Sequence, residues 1–242
     1  MSEAPYQPAP RCWTEDELSV GGLTLEPSER RHLEKVRRVR IGESVGVLNG
    51  RGQMGKAILL ADGVVELREV EQHPEPSPKL SLYVGALKQR AWEDVLRHST
   101  ELGVSRIVRV ESTHAVSKIE AKADKKRSRW RELLIEACKQ SANPWIPELE
   151  LASSVAEACS DPDLPKKGFV AQLGADASSL GQVLSDDLPE SLAVWIGPEG
   201  DFTSTEYTSI RDAGMIPVTL GERVLRGETA ALSLLSRLRL HH

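Results

Sequence analysis

Two apolar runs late in this chain are each closed by a glycine-bearing loop and each followed by a helical pattern, and that pairing leaves few folds open. The first run is Leu192-Ala193-Val194-Trp195-Ile196, closed by Gly197-Pro198-Glu199-Gly200. The second is Ile216-Pro217-Val218-Thr219-Leu220, closed by Gly221-Glu222-Arg223-Val224-Leu225-Arg226-Gly227-Glu228-Thr229. Both are strand-length, unbroken and rich in branched residues, as strands covered on both faces are. Thr203-Ser204-Thr205-Glu206 has capping-box spacing, so the helix after the first loop should start near Thr203 and stop before Gly214. Ala231, Leu232, Leu234, Leu235 and Leu238 supply the apolar stripe of the second helix. The two loops are therefore expected at the carboxyl ends of neighbouring parallel strands, where open α/β sheets hold their ligands. Neither loop carries a Gly-x-Gly-x-x-Gly or Gly-Lys-Ser/Thr pattern, so neither is a phosphate cradle.

Upstream, strand and helix patterns alternate. Leu80–Leu87 reads as a strand, and Trp92, Val95, Leu96, Ser99 and Leu102 mark a helix stopped by Gly103. Ile107–Val110 is a second strand, and a long helix carrying Trp130, Leu133, Leu134, Ala137 and Cys138 ends before Asn143-Pro144. Phe169–Leu173 is a third strand. This alternation predicts an α/β domain with a mostly parallel sheet over residues 79–242. Ahead of His73-Pro74-Glu75-Pro76-Ser77-Pro78 the pattern is instead short strands and tight turns. Glu43–Leu48, Met54–Leu60 and Val64–Val70 are separated by Asn49-Gly50-Arg51-Gly52 and Asp62-Gly63, with one short helix near Pro27–Val36. Residues 1–19 read as a lead-in anchored by Trp13, and residues 1–73 as a compact β-barrel-like domain.

The net charge of −5 excludes a uniformly basic nucleic-acid binder, so such a role must rest on local clusters. Arg30, Arg31, Lys35, Arg37, Arg38 and Arg40 form one; Lys118, Lys122, Lys125, Lys126, Arg127, Arg129 and Arg131 form another. Singly, each reads as a solvated face partly offset by Glu34, Glu120, Asp124 and Glu132; two clusters, one per domain, tip the reading toward RNA. Three distant cysteines (Cys12, Cys138, Cys159) indicate neither disulfides nor zinc, and the scattered His32, His98 and His114 offer no metal site. No membrane-length apolar run or signal peptide is present, and a reduced, cytoplasmic compartment is expected.

The residues then become specific. Ile196-Gly197-Pro198-Glu199-Gly200-Asp201-Phe202-Thr203-x-x-Glu206 and Leu220-Gly221-x-Arg223-Val224-Leu225-Arg226-x-Glu228-Thr229-Ala230 resemble signature blocks of the RsmE-type small-subunit ribosomal RNA uridine-N3 methyltransferases, in the SPOUT superfamily. Further matches include His32-Leu33-x-x-Val36-x-Arg38, Gly42-Glu43-x-Val45, Asn49-Gly50-x-Gly52, Thr100-Glu101-Leu102-Gly103-Val104, and Trp130 followed by Glu136-Ala137-x-x-Gln140-Ser141. The resemblance implies a PUA-like barrel ahead of a SPOUT domain with a carboxyl-terminal trefoil knot, a homodimer, and S-adenosylmethionine as cofactor. It implies methylation of a uridine N3 in 16S ribosomal RNA, within the small subunit. The cofactor loops it implies hold Leu173, Gly174, Ile196, Gly197, Glu199, Gly200, Leu220, Gly221, Val224, Leu225, Thr229 and Ala230, with no metal. Arg226 is the candidate catalyst, a cation beside the uracil carbonyls, with Glu228 orienting the loop. Arg38, Lys125, Lys126 and Arg127 are the candidate RNA contacts.

The chain departs from the family pattern at five places. His98 stands for Lys, His114-Ala115 for Arg-Ser, Asn143 for Arg, Gly227 for Thr and Asp201 for a frequent Gly. The lost cations leave open a methyltransferase directed at another RNA position, or a non-catalytic RNA-binding or ribosome-assembly protein on the same fold.

Overall fold

In three short runs between Ser44 and Leu67 alternate residues turn inward, and Val45, Val47, Ala57, Leu59, Val65 and Leu67 are buried in one cluster. That period of two is what a sheet with one covered face requires. The structure, a computed structural model, describes residues 9–115, 123–174, 176–184 and 188–240. It divides into one unit of Met1–Glu75 with Cys138–Ile146 and a second of Pro76–Ala137 with Pro147–His242.

The first unit holds β1 (Arg11–Trp13), β2 (Gly21–Thr24), α1 (Pro27–Arg31, widening into a π turn over His32–Val36), β3 (Ser44–Leu48), β4 (Gln53–Leu59) and β5 (Val64–Gln72). They form a five-stranded sheet in the order β1-β3-β4-β5-β2, antiparallel except for the β1–β3 pair. The expected lead-in is thus partly sheet: Cys12 and Trp13 are buried, which no alternation over three residues could announce. Cys138–Ile146 joins this unit through Trp145, whose indole Nε1 donates to Pro74 O at 2.9 Å, and through Gly52 N, which donates to Pro144 O at 2.9 Å.

The second unit runs β6 (Lys79–Gly85), α2 (Gln89–Glu101), β7 (Arg106–Val110), α3 (Ala123–Ser141, its last turn in the first unit), β8 (Glu148–Ala152), α4 (Val155–Cys159) and β9 (Gly168–Ala171). It continues through β10 (Ser178–Ser179), α5 (Leu180–Val183), β11 (Ser191–Ile196), α6 (Ser204–Asp212), β12 (Met215–Thr219) and α7 (Gly227–Arg239). Its seven strands are all parallel, in the order β10-β12-β9-β11-β6-β7-β8. Tyr83 and Trp195, on paired strands, stack at 4.5 Å with rings 7° apart, and Phe202 meets Trp195 edge-on. Thr203 caps α6 with the expected reciprocal box to Glu206.

The strand β8 and helix α4 gave no periodic signal in five residues each and went unread in the sequence. One expectation needs correction. The loops after β11 and β12 are not on neighbouring strands, because β9 lies between them. Succession in the chain fixes neighbours only when a connection cannot skip a strand, and here β11 is inserted between β9 and β6.

In the first unit Lys139 Nζ meets Glu29 Oε1 at 2.8 Å with side chains 4% and 14% exposed, and Glu29 Oε2 accepts Trp13 N at 2.9 Å. Glu29→Ala breaks that ion pair in a dry site and is expected to cost about 3–5 kcal/mol. Glu29→Ala with Lys139→Met should recover most of that loss, which chemical denaturation of the two variants measures.

Candidate functional site

The carboxyl ends of β9, β11 and β12 open into one cleft of about 860 Å³. That volume lies within the range of small-molecule and cofactor sites. Leu173, Ile196, Gly197, Glu199, Leu220, Val224, Leu225 and Ala230 all line it, as does Arg226. Gly174, Gly200, Gly221 and Thr229 are neighbours of lining residues in the chain but are not part of the lining. Nothing lies within 4 Å of where a β-carbon would stand at Gly174 or Gly221, so the backbone there is open to a ligand. Leu173 and Val224 are exposed apolar side chains at this cleft, a cost that a bound apolar surface would remove.

Sequence reasoning missed Lys88, Arg90, Asp94, Gln172 and Tyr207 on the lining. Lys88 and Arg90 follow β6 directly, and their position at a parallel strand's carboxyl end was the available signal. Lys88 is the N-cap of α2, and its backbone N–H is satisfied by Glu199 Oε1 at 3.2 Å. Asp201 sits at φ 61° and its Oδ1 accepts Phe202 N at 2.8 Å and the Tyr207 hydroxyl at 2.7 Å. Burial raises the Tyr207 pKa, and the Asp201 carboxylate adds to the effect, so this phenol stays protonated.

Arg226 occupies the N-cap of α7, is exposed, and has no ion-pair partner among the described residues. Glu228, in the first turn of α7, is half-buried and likewise makes no ion pair or hydrogen bond among them. The expectation that Glu228 orients the loop thus finds no contact to carry it. The side chains of Lys88, Arg90 and Arg223, all exposed, also lack acidic partners among the described residues.

The segment after β7 is tied to the first glycine loop. Glu206 Oε1 accepts Thr113 N at 2.8 Å and Thr113 Oγ1 at 3.1 Å, while Oε2 accepts Thr203 N at 2.8 Å and Thr203 Oγ1 at 3.0 Å. His114 Nδ1 lies 3.0 Å from Gly200 O and 3.2 Å from Asp201 O, so this nitrogen carries the proton. No cluster that could hold a metal ion occurs among the described residues.

In the first unit Arg38 is exposed at φ 56°, and Arg31, Lys35, Arg37 and Arg40 are exposed too, without acidic partners among the described residues. Arg30 is engaged with Glu34 at 2.9 Å. Of the second cluster, Lys118, Lys122 and the Lys125 side chain lie outside the described residues. Arg127 is exposed, Lys126 is half-buried, and Arg129 pairs with Glu93 at 3.0 Å. That second cluster is therefore partly spent on internal pairing. No helix among the described residues is long and apolar enough to cross a membrane.

Residues 73–239 match a family model described as an RNA methyltransferase domain. The chain is 29% identical over 231 residues, 92% of its length and 74% of the relative's, to the ribosomal RNA small subunit methyltransferase E of Synechocystis. It is 28% identical over 171 residues, 71% of this chain and 74% of the relative, to the protein of that name in Mesomycoplasma hyopneumoniae. Among solved structures, the ribosomal RNA small subunit methyltransferase E of Neisseria gonorrhoeae, bound to S-adenosyl methionine, aligns with a TM-score of 0.84 at 28% identity, covering 96% of this chain and 97% of that one. A Legionella pneumophila protein solved with SAM bound aligns with a TM-score of 0.86 at 29% identity, covering 96% and 98%.

Partial burial pushes the Glu206 pKa up, but the hydrogen bonds from Thr203 and Thr113 outweigh it and leave it below the ordinary carboxylate value. The latch therefore contributes stability above the ordinary carboxylate range and loses it as pH falls through the lowered value. Thermal unfolding of wild type and Glu206→Gln should differ at neutral pH, wild type being the more stable, and converge in acid.

Proposed function

The chain belongs to the RNA methyltransferase domain family, and we propose that it methylates N3 of a uridine in 16S ribosomal RNA with S-adenosylmethionine as methyl donor. The observation that carries the reading is the single cleft at three parallel strand ends, lined by the glycine loops and by four cations without acidic partners among the described residues. The first unit we read as a PUA-like barrel for RNA and the second as a SPOUT domain whose last part is a trefoil knot. We further read the active form as a cytoplasmic homodimer that acts on the small ribosomal subunit.

The lining suits the donor. Leu173, Ile196, Leu220 and Leu225 offer an apolar wall for a nucleoside, and the open backbone at Gly174 and Gly221 can meet its polar edges. When bound, the sulfonium supplies an activated methyl group. The protein then has to hold uracil N3 in line and stabilise the imide anion as its proton leaves. We assign the second task to Arg226, which lines the cleft: a permanently charged guanidinium without an ion pair among the described residues can donate to a uracil carbonyl. Arg38 and its exposed neighbours, with Arg127, supply sequence-independent phosphate contacts.

Methyl mapping of 16S ribosomal RNA from cells with and without the protein tests the reaction: one 3-methyluridine should disappear with the protein. With purified small subunits and saturating methyl donor, Arg226→Ala should slow single-turnover methylation by roughly two to three orders of magnitude. S-adenosylhomocysteine affinity should stay within a few-fold, and Arg226→Lys should recover only part of the rate. A rate restored by saturating donor would make Arg226 a loop anchor instead.

A further inference from the structure

Four carboxylates line the cleft: Asp94, Glu199, Asp201 and Glu228. Three are already engaged. Asp94 Oδ1 accepts from Arg97 Nη1 at 3.1 Å, Glu199 Oε1 from Lys88 N at 3.2 Å, and Asp201 Oδ1 from Tyr207 and Phe202. Glu228 alone receives no donor from the described residues, although it is half-buried and Lys88, Arg90, Arg223 and Arg226 share its cleft. Removing a carboxylate from water without a donor costs free energy, and the fold could have recovered it by pairing Glu228 with Arg226, two residues away. It does not.

Resting on the uridine-N3 reading above, we propose that Glu228 is the catalytic residue that accepts the N3 proton. N3 of uracil is neutral and bears a hydrogen, so it is a poor nucleophile until that proton has an acceptor. Glu228 takes the proton as an O–H bond forms and the N3–H bond breaks. The freed electron pair makes the N3–methyl bond, and the S–C pair stays on sulfur, leaving a thioether. The proton passes from Glu228 to water after product release. Arg226 and Glu228 then divide the imide between them, cation toward carbonyl oxygen and acceptor toward N3–H. A positioning role would need a contact inside the protein, and the described residues offer none.

The test compares wild type, Glu228→Gln and Glu228→Asp in single-turnover methylation of small subunits reconstituted on transcribed 16S RNA. The transcripts carry either uridine or 5-fluorouridine, whose N3 is more acidic. Glu228→Gln, which keeps the shape and removes the acceptor, should slow uridine methylation about 10²–10⁴-fold, the range for a lost general base. Glu228→Asp should recover part of the rate, and S-adenosylhomocysteine and RNA affinities should hold within threefold. On 5-fluorouridine the Gln defect should shrink by at least tenfold, because N3 ionises with less help. An equal defect on both RNAs, a near-normal rate in Glu228→Gln, or a loss of S-adenosylhomocysteine binding matching the loss of rate would each overturn the proposal. A wild type that forms no 3-methyluridine on either RNA would instead sink the reading on which it rests.

Discussion

Pro198 lies on top of Gly85: a β-carbon at position 85 would stand 2.5 Å from Pro198 Cδ and 2.6 Å from its nitrogen. The closeness follows from register. Strands β6 and β11 are paired through Val84 and Ile196, so Gly85 and Gly197 leave the sheet side by side. The loop after β11 can then cross the end of β6 and bring Glu199 to the first N–H of α2. On its other flank Gly227 meets Leu87, and a β-carbon at 227 would be 2.8 Å from Leu87 Cδ2 and 3.6 Å from Gly197 O. Three chain segments distant in sequence are thus stacked closely, glycine at positions 85 and 227 leaving room for the Pro198 ring and the Leu87 side chain. Any substitution at Gly85 would push the loop off the sheet and open the cleft that all three segments line.

Charge is distributed unevenly around that stack. Three buried charges outside the cleft are matched: Arg106 with Glu150 and Asp161, Lys139 with Glu29, Glu93 with Arg129 and Arg97. An unpaired charge in those positions would cost several kcal/mol, so folding alone demands the pairing. At the cleft the same pressure is absent, because Lys88, Arg90, Arg223 and Arg226 are exposed to water. Leaving four cations unmatched there costs the fold little. The same lining holds the carboxylates of Asp94, Glu199, Asp201 and Glu228, so the cleft offers separate cations to an anionic group without a net positive charge of its own.

How much of this could be read from the amino acids follows from range. Thr203 and Glu206 announced the start of α6 because a capping box is complete within four residues. Leu192–Ile196 announced a strand covered on both faces, whereas in Met215–Thr219 only Met215 and Val218 are buried and Ile216 is exposed, so the second run was read as more deeply covered than it is. The partner of each strand was not legible, since β9 enters between β11 and β12 from a distant part of the chain. The same limit hid Lys88 and Arg90, which reach the cleft only because β6 lies beside β11. It hid the first unit's claim on Cys138–Ile146 as well, since Trp145 must be folded back before its indole can meet Pro74. Local signals gave the loops, while the lining of the cleft required the sheet.

The departures from the family pattern then take on a physical sense. Asp201, where glycine is frequent, adopts φ 61°, a conformation that favours glycine and that Asp tolerates better than most residues. Its carboxylate is not idle there, because Tyr207 and Phe202 both donate to it. His114, in place of arginine, binds the carbonyls of Gly200 and of that same Asp201. Gly227, in place of threonine, leaves room for Leu87, which is 1% exposed and would have to change rotamer to admit a β-carbon. Two departures therefore fasten the loop after β11, and a third accommodates the residue packed beneath α7. The imidazole Nδ1 is committed to those backbone carbonyls, so at position 114 a side chain ties the segment after β7 to the loop after β11. Lys88, Arg90, Arg223 and Arg226 take no part in that tie, and these cations of the cleft stay open to an anionic group beside the fastened loop.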